Sequence, residues 1–354
     1  MNKLSLPSTP LRFLLLGYGH VAQAFIPLLA ARSEWLDKTY GVNPVICGIG
    51  TRSQGYYLHP EGIHVTAMAN SKNALQWFTS TSQRTENAET FIQQGKAHGA
   101  SLLIELTSLN PQDGQPALMH IRTALEAAMD VITANKGPVA YAQAELQLLA
   151  RRQHTQFRFE STVMDGLPLI NLAQFSLQAV GMRSFRALLN TTSSYVLHLI
   201  EQGHSLEAAI FQAQQLGIAE ADPWYDLDGL DAAMKTTILA NNLLDGQLIP
   251  SQVKRTGLRN ISLEEIRAAF SRGTPIRLVS HASSIDGLIT AEVSPRHIDA
   301  SDILHIATGT TSVISLETEA MGTITLVEHE PEVIQTAYGI LSDLITVLRE
   351  QKAV

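Results

Sequence analysis

The sequence has a single cysteine, Cys47, so no disulfide can form within the chain. Its apolar runs fall short of the roughly 20 residues that a membrane-spanning helix needs, and its first residues contain no hydrophobic signal core. Charged residues make up only 16% of the chain, the formal net charge is −8, and a basic run is absent, which disfavours nucleic-acid binding. These features predict a cytoplasmic protein that binds small molecules, with Cys47 as a buried structural thiol.

A glycine turn near the start of the chain has the pattern of a dinucleotide-binding motif. An apolar run, Leu11 to Leu16, reaches Gly17, and apolar residues then recur at helical spacing. Gly17 and Gly19 would let the backbone approach a pyrophosphate, Ala22 is the third small residue, and the helix start at Val21 would present N–H groups to the phosphates. The strand before and the helix after favour dinucleotide binding over a merely structural turn.

The second predicted strand, in "NPVICGIGTRSQG", ends at the place where many such folds carry a ribose-binding carboxylate. Arg52 stands there instead, between Thr51 and Ser53, and a guanidinium suits a 2′-phosphate. We therefore expect NADP rather than NAD as cofactor. The alternative is that Arg52 is a surface residue and that NAD is used.

Two more strands, "ASLLIELTS" and "DVITANKG", flank a predicted crossover helix and indicate a parallel sheet. Residues just past the ends of parallel strands face the cofactor crevice, so we expect Thr107, Ser108 and Lys136 there. Lys136 could equally be a surface lysine at the start of a helix.

After about residue 150 the pattern changes to helices followed by strands that read as antiparallel hairpins. The predicted fold class is therefore α/β, with a Rossmann-like dinucleotide-binding domain over 1–150 and an α+β catalytic and dimerisation domain with a mainly antiparallel sheet over 151–330. The segment 331–354 is predicted as a helix that returns to the first domain.

The segment "AEADPWYDLDGLDAAMK" places five carboxylates ahead of one lysine. Acidic residues before a helix often serve only as caps on a solvated surface. Helical periodicity places Asp231 and Lys235 four residues apart on one helix face, where an ordinary surface ion pair is the plainest interpretation.

Four segments in order behind the glycine turn, "TANKGPVA", "ESTVMDGLPLI", "AEADPWYDLDGLDAAMK" and "TAYGILSDL", resemble homoserine dehydrogenase in its short form. The resemblance implies reversible NAD(P)-dependent interconversion of L-aspartate 4-semialdehyde and L-homoserine, as in threonine and methionine biosynthesis. It also implies a homodimer joined through the sheet of the second domain.

The resemblance also implies roles for the residues of this chain that stand at the family's site positions. These positions imply that Lys235, Asp231 and Lys136 are catalytic, with Lys235 the first candidate for contacting the reacting oxygen. They also imply that Glu220, Asp226 and Thr192 bind substrate. The segment "ESTVMDGL" resembles the family's monovalent-cation loop, which implies sodium ligands at Glu160, Val163, Asp165 and Leu167, mostly through backbone carbonyls.

Three departures from the family pattern leave alternatives open. Thr191 replaces a glycine, Ile218 replaces an aromatic residue, and "EHEPE" over 328–332 replaces a glycine-rich turn that touches cofactor. The carboxylates of that segment would repel a phosphate. One alternative is a related oxidoreductase acting on another amino-acid aldehyde or hydroxy amino acid, and another is a non-catalytic nucleotide-binding homologue.

Overall fold

The computed structural model describes residues 8–353, which form two compact units. Unit 1 combines the chain up to Pro168 with the segment that begins at Glu332, and unit 2 is Leu169–Pro331. The division at Pro168 corrects the boundary expected near residue 150.

Unit 1 alternates strands and helices along the chain. Its strands are β1 (Thr9–Leu16), β2 (Val42–Thr51), β3 (Gly55–His64), β4 (Gln83–Thr85), β5 (Leu102–Glu105), β6 (Asp130–Thr133) and β7 (Phe157–Arg158). Its helices are α1 (His20–Ala31), α2 (Ser33–Tyr40), α3 (Val65–Ala69), α4 (Ala74–Thr81), α5 (Ala88–Ala97), α6 (Ala117–Glu126), α7 (Lys136–Arg152) and, after unit 2, α14 (Val333–Ala353), with a 3₁₀ turn at Glu160–Thr162.

The sheet of unit 1 has the order β4-β3-β2-β1-β5-β6-β7. Strands β2, β1, β5, β6 and β7 are parallel, whereas β3 pairs antiparallel with β2 and β4 pairs antiparallel with β3. The short β7 explains the later unit boundary, because it pairs with β6 and the 3₁₀ turn after it packs on α14. Since parallel strands end at one edge, the segments that follow β1, β2, β5 and β6 share that edge.

The core of unit 1 joins the sheet to its first and last helices. Phe13 and Ile104 of the sheet are buried with Phe25 of α1 and with Leu341 and Leu344 of α14. The closing helix α14 therefore shares one hydrophobic core with β1, β5 and α1. Burial of this kind is the dominant favourable term in folding.

Unit 2 packs helices against a six-stranded sheet. Its strands are β8 (Met182–Leu188), β9 (Lys254–Arg255), β10 (Ile276–Ile285), β11 (Leu288–His297), β12 (Ser312–Thr318) and β13 (Gly322–Glu328). Its helices are α8 (Leu169–Asn171), which continues as a π turn over Leu172–Ser176, α9 (Thr191–Glu201), α10 (Leu206–Gln215), α11 (Trp224–Leu227), α12 (Leu230–Leu243) and α13 (Leu263–Ser271), with 3₁₀ turns at Pro250–Gln252 and Ile303–Ile306. The sheet order is β13-β12-β8-β10-β11-β9, and every pairing except β11 with β9 is antiparallel.

Short polar side chains start several of these helices. Asn190 caps α9 and Ser205 caps α10, while Asn135 caps α7 in unit 1, each accepting a hydrogen bond from a backbone N–H in the first turn. Ser262 likewise caps α13, because its hydroxyl accepts from the Glu265 N–H. Such caps contribute about 1 kcal/mol each, and they fix the residue at which the helix begins.

The thiol of Cys47 is buried, as expected, and burial raises its pKa. Within residues 8–353, we find no helix with the length and apolar character needed to cross a membrane.

Asp343 of α14 is a buried carboxyl that faces the 3₁₀ turn of the same unit. It is 1% exposed, and its Oδ2 accepts a hydrogen bond of 2.9 Å from the Glu160 N–H. Burial, followed by the negative charge of Glu160, raises the pKa of Asp343 well above its ordinary value. The folded chain therefore holds a proton at this carboxyl under conditions in which the unfolded chain releases it.

This proton predicts a pH dependence of stability. Because the folded state binds more protons, the contribution of Asp343 to stability falls as pH rises above about 3.8. The amide in Asp343→Asn does not ionise, so the variant should gain in urea resistance relative to wild type as pH rises above about 4. The control is Asp37→Asn at an exposed position, which should follow wild type. If the free energy of unfolding depended on pH in the same way for wild type and Asp343→Asn, this account would be contradicted.

Candidate active site

The glycine turn of unit 1 follows β1 closely. Gly17 has φ +92°, and its N–H donates a 2.8 Å hydrogen bond to the Gly50 carbonyl of β2. A Cβ on Gly17 would lie 2.3 Å from the Leu106 carbonyl oxygen, so only glycine fits there. Gly19, which precedes α1, faces open space, and α1 has no side-chain cap. The backbone N–H groups at Val21 and Ala22 thus belong to a first helical turn whose donors lack partners within the helix.

Thr107, Ser108 and Lys136 lie where the sequence analysis expects them, at the carboxyl edge after β5 and β6. Asn135 links the two segments, because its Nδ2 donates to the Thr107 carbonyl at 3.1 Å while its Oδ1 accepts from the Gly137 N–H at 3.1 Å. Lys136 is half-buried and is the first residue of α7. Asn135 was not expected at the site, although its position before a helix is a capping signal that the sequence contains.

Arg52 is exposed in the turn that joins β2 to the antiparallel β3. Near this turn is a cavity of about 670 Å³ between α1 and the α3–α4 segment. Tyr18 of the glycine turn and Gln54 of the β2–β3 turn line it, and Lys72 is its one charged lining residue in the part of the chain that the structure describes. Burial raises the pKa of Tyr18, so its hydroxyl stays protonated at neutral pH.

The acidic segment of unit 2 is organised by Asn190, the cap of α9. Its Nδ2 donates to Asp226 at 2.7 Å and to Asp231 at 2.9 Å, while its Oδ1 accepts from the Ser193 N–H at 2.7 Å. Asp231 is 4% exposed. One amide therefore holds two carboxylates together at the end of β8, which local helix capping alone does not require.

Lys235 completes this cluster. Its Nζ lies 3.3 Å from Asp231 Oδ2 and donates to the Leu189 carbonyl at 2.7 Å. The side chains of the two residues are 15% and 5% exposed, so this is not an ordinary surface ion pair. An ammonium has three N–H donors, and the Leu189 carbonyl accepts from one of them. A remaining donor is suited to an oxygen of a bound molecule.

Thr192 and Glu220 lie beside different parts of this site. The Thr192 hydroxyl donates to the Ile218 carbonyl at 2.9 Å and so ties α9 to the segment that precedes Glu220. Glu220 is exposed, and its backbone carbonyl accepts from the Gln214 side chain at 3.1 Å. Thr192 thus places the acidic segment, and the Glu220 carboxylate is accessible to a ligand.

The remaining carboxylates of the segment stabilise the structure locally. Asp222 caps the short helix α11 by accepting from the Trp224 N–H at 3.1 Å. Asp228 receives two hydrogen bonds from Arg259, whose guanidinium also lies 3.8 Å from the centre of the Trp224 ring. The plain interpretation of acidic clusters as structural applies to these two, whereas Asp226 and Asp231 form the site.

The expected cation loop lies in unit 1. Glu160 and Val163 are buried, and Met164 and Asp165 have left-handed backbone conformations with φ of 53° and 48°. The Leu167 N–H donates to the Met164 carbonyl at 2.9 Å. Asp165 Oδ1 accepts a hydrogen bond of 2.7 Å from the Thr336 hydroxyl of α14, so its carboxylate does not simply point to solvent. Among residues 8–353, no group of three or more His, Cys, Asp and Glu side chains is placed to hold a metal ion.

Comparison with known proteins identifies the family. A family model described as homoserine dehydrogenase matches residues 168–345. The NAD(+)-dependent homoserine dehydrogenase of Pseudomonas canavaninivorans is 35% identical over 341 residues, which cover 95% of this chain and 96% of that protein. The homoserine dehydrogenase of Methanocaldococcus jannaschii is 31% identical over 96% of this chain and 99% of its own length. This chain belongs to the homoserine dehydrogenase family.

A solved structure of the homoserine dehydrogenase from Thermoplasma acidophilum shares the fold. Its TM-score is 0.80 at 23% identity, and the match covers 96% of this chain and all of that chain. The predicted fold class, a Rossmann-like unit followed by a unit with a mainly antiparallel sheet, is confirmed.

The departures from the homoserine dehydrogenase pattern have definite places. Thr191 is the first residue of α9, directly after Asn190. Glu328 is the last residue of β13, where it pairs with Ser312 and is 8% exposed, so the "EHEPE" segment is not a turn throughout. Glu330 has φ +44°, and the chain passes from unit 2 to unit 1 between Pro331 and Glu332.

The two glycines of the turn should respond differently to the same substitution. Gly17→Ala places a Cβ against the Leu106 carbonyl at positive φ, so we expect its melting temperature to fall by about 5 °C or more. Gly19→Ala meets no atom within 4 Å and should melt close to wild type. Equal melting temperatures for the two variants in calorimetry would contradict the close contact at Gly17.

Proposed function

We propose that this chain catalyses the NAD(P)-dependent interconversion of L-aspartate 4-semialdehyde and L-homoserine, with reduction as the physiological direction in threonine and methionine biosynthesis. The observation that carries the proposal is the buried Asp231–Lys235 pair held by Asn190, in a chain of this family. A non-catalytic homologue would not need a buried ammonium, whereas here Asp231 and the Leu189 carbonyl hold the Lys235 ammonium in place.

Lys235 would bind the oxygen at which charge develops. When bound, the nicotinamide supplies or accepts the hydride at C4 of the substrate. In the reducing direction the C4 oxygen gains negative charge, which the Lys235 ammonium stabilises, and the oxygen takes up a proton to become the hydroxyl. Asp231 favours the charged form of Lys235 because an opposite charge lies 3.3 Å away. Lys136 is the second candidate for this contact.

The acidic residues would select an amino-acid substrate. Homoserine carries an α-ammonium group, and the exposed Glu220 carboxylate is available to bind it. Asp226 would contribute a second acidic contact while Asn190 fixes its orientation. Thr192 would act by holding the Ile218 carbonyl, which keeps Glu220 at the edge of the site.

For the cofactor we propose NADP, with NAD as the alternative suggested by the NAD(+)-dependent relative. The pyrophosphate would lie at Gly17, Gly19 and the start of α1, and Thr107, Ser108 and Lys136 would line the crevice beyond it. Arg52 supports the preference, since it occupies the turn after β2, and Lys72 adds a second positive charge near that turn.

We further propose a weak monovalent-cation site, such as one for sodium, at Glu160, Val163, Asp165 and Leu167. The buried Glu160 carboxylate fits this role, and a cation would offset the negative charge that helps to raise the pKa of Asp343. Backbone carbonyls would supply most of the other ligands. An unchanged rate when sodium is exchanged for tetramethylammonium would count against the site.

The assembly and location are also proposals. We propose a homodimer joined through the sheet of unit 2, which light scattering would refute by returning the mass of one chain at every concentration. We place the chain in the cytoplasm because its single thiol is buried and supports no disulfide within the chain.

The role of Lys235 predicts the kinetics of its alanine variant. Lys235→Ala should lower kcat for homoserine oxidation by about 100-fold or more, with little change in the dissociation constant of NADPH. The rate is followed at 340 nm on purified protein. Lys254→Ala, an exposed lysine of β9, is the matched control and should keep wild-type activity. Wild-type turnover in Lys235→Ala would remove the lysine from the mechanism.

The role of Arg52 predicts cofactor selectivity. Arg52→Ala should raise KM for NADP by about tenfold while KM for NAD changes little, because one charge-assisted contact contributes about 1.5–3 kcal/mol. Lys72→Ala should also raise the ratio of KM for NADP to KM for NAD, but by a smaller factor. The control is Arg32→Ala, an exposed arginine after α1. Equal increases for NADP and NAD in Arg52→Ala would show that the guanidinium does not contact a 2′-phosphate.

A further inference from the structure

We propose that Glu105 is a positioning residue, which holds the cofactor crevice of unit 1 in its working shape without touching the substrate. Glu105 is the last residue of β5, lies at the carboxyl edge of the sheet, and is fully buried. A buried carboxylate is costly unless hydrogen-bond donors replace the water that it has lost. The inference rests on the proposed dinucleotide site and adds a residue to it.

The Glu105 carboxylate binds the segment that follows its own strand. Its Oε1 accepts from the Thr107 N–H at 3.1 Å and from the Thr107 hydroxyl. His120, which is 3% exposed, places Nδ1 at 3.7 Å from the same oxygen. These contacts hold Thr107 in one backbone position, and Ser108 follows it directly.

The second oxygen of Glu105 extends the hold to the neighbouring strand. The Thr133 hydroxyl at the end of β6 lies 3.2 Å from Oε2 and 3.0 Å from the backbone carbonyl of Glu105, and it accepts a 3.0 Å hydrogen bond from the Asn135 N–H. Asn135 in turn donates to the Thr107 carbonyl and caps α7. A closed network thus joins Glu105, Thr107, Thr133 and Asn135, and it sets where α7 begins at Lys136.

The glycine turn packs closely against the same segment, at Leu106 and Thr107. A Cβ added to Gly17 would lie 2.8 Å from the Thr107 nitrogen, and the Leu106 N–H donates to the Leu16 carbonyl at 2.6 Å. The glycine turn and the segment before Lys136 therefore both contact the backbone of Thr107, which the Glu105 carboxylate binds. Displacement of Thr107 would alter the crevice at these segments together.

A second buried carboxylate in the same strand pair provides a matched control. Asp130 begins β6 and is paired with Leu102, whereas Glu105 is paired with Thr133 at the opposite end of the two strands. Asp130 is 8% exposed and accepts hydrogen bonds of 2.8 Å from the Gln156 N–H and the Gln351 amide. It is thus a buried, bonded carboxylate that lies away from the carboxyl edge.

The test compares Glu105→Ala, Glu105→Gln and Asp130→Ala by NADPH and NADH fluorescence titration and by steady-state homoserine oxidation. Glu105→Ala should weaken both nucleotides about tenfold and lower kcat about tenfold, since small misplacements of reacting groups are costly, while KM for homoserine stays within about twofold. Glu105→Gln keeps an acceptor for Thr107 and should recover to within about threefold of wild type. Asp130→Ala should lose thermal stability with nucleotide affinity unchanged.

A third variant protects the test against a Glu105→Ala protein that does not fold. Thr133→Val removes the hydroxyl that joins Glu105 to Asn135 at nearly constant volume, and it should weaken both nucleotides about threefold. The inference would be overturned if Glu105→Ala bound NADPH and NADH with wild-type dissociation constants. If Glu105→Ala does not fold, the same result in Thr133→Val would overturn it. In either case the proposed function would stand. Failure of Glu105→Gln to recover would also overturn the inference. Wild-type protein that binds neither nucleotide would refute both the dinucleotide site and this inference.

Discussion

The buried ion pair between Asp231 and Lys235 is the interaction on which the proposed chemistry depends. Removing a carboxylate and an ammonium from water is costly unless each has further partners. Here Asn190 donates to the carboxylate and the Leu189 carbonyl accepts from the ammonium. Leu189 and Asn190 directly follow β8, so this strand positions the groups that bind Lys235 and Asp231. The pair is stable because the surrounding groups leave neither charge without a partner.

In unit 1, backbone N–H groups rather than charged side chains are placed to bind a charged ligand. A dinucleotide carries its negative charge on phosphates, and the glycine turn offers N–H groups without a side chain in the way. Gly17 is required by a close backbone contact, whereas Gly19 leaves open space. The carboxylate of Glu105 binds the N–H of Thr107, whose backbone lies close to Gly17. In both units, therefore, buried polar groups at strand ends place the residues that would meet the ligands.

Much of this arrangement could be predicted from the sequence, for identifiable reasons. The glycine turn, the β10–β11 hairpin and the helical spacing of Asp231 and Lys235 are local patterns, and the structure contains each. The unit boundary was predicted too early because β7 is only two residues long and pairs with a distant strand. Asn190 and Asn135 were missed as organising residues because their second hydrogen bonds join segments far apart in the chain. Periodicity reports local geometry, and such contacts arise only when the chain is folded.

The central claim is that Lys235 contacts the reacting oxygen of an amino-acid substrate that the acidic segment binds. The most direct test is a crystal structure of the protein with L-homoserine and an oxidised nicotinamide dinucleotide. We expect the C4 hydroxyl oxygen of homoserine within hydrogen-bond distance of Lys235 Nζ, and its ammonium group in contact with Glu220 or Asp226. Homoserine bound with its hydroxyl away from Lys235, while Nζ keeps only its contacts to Asp231 and Leu189, would contradict the account.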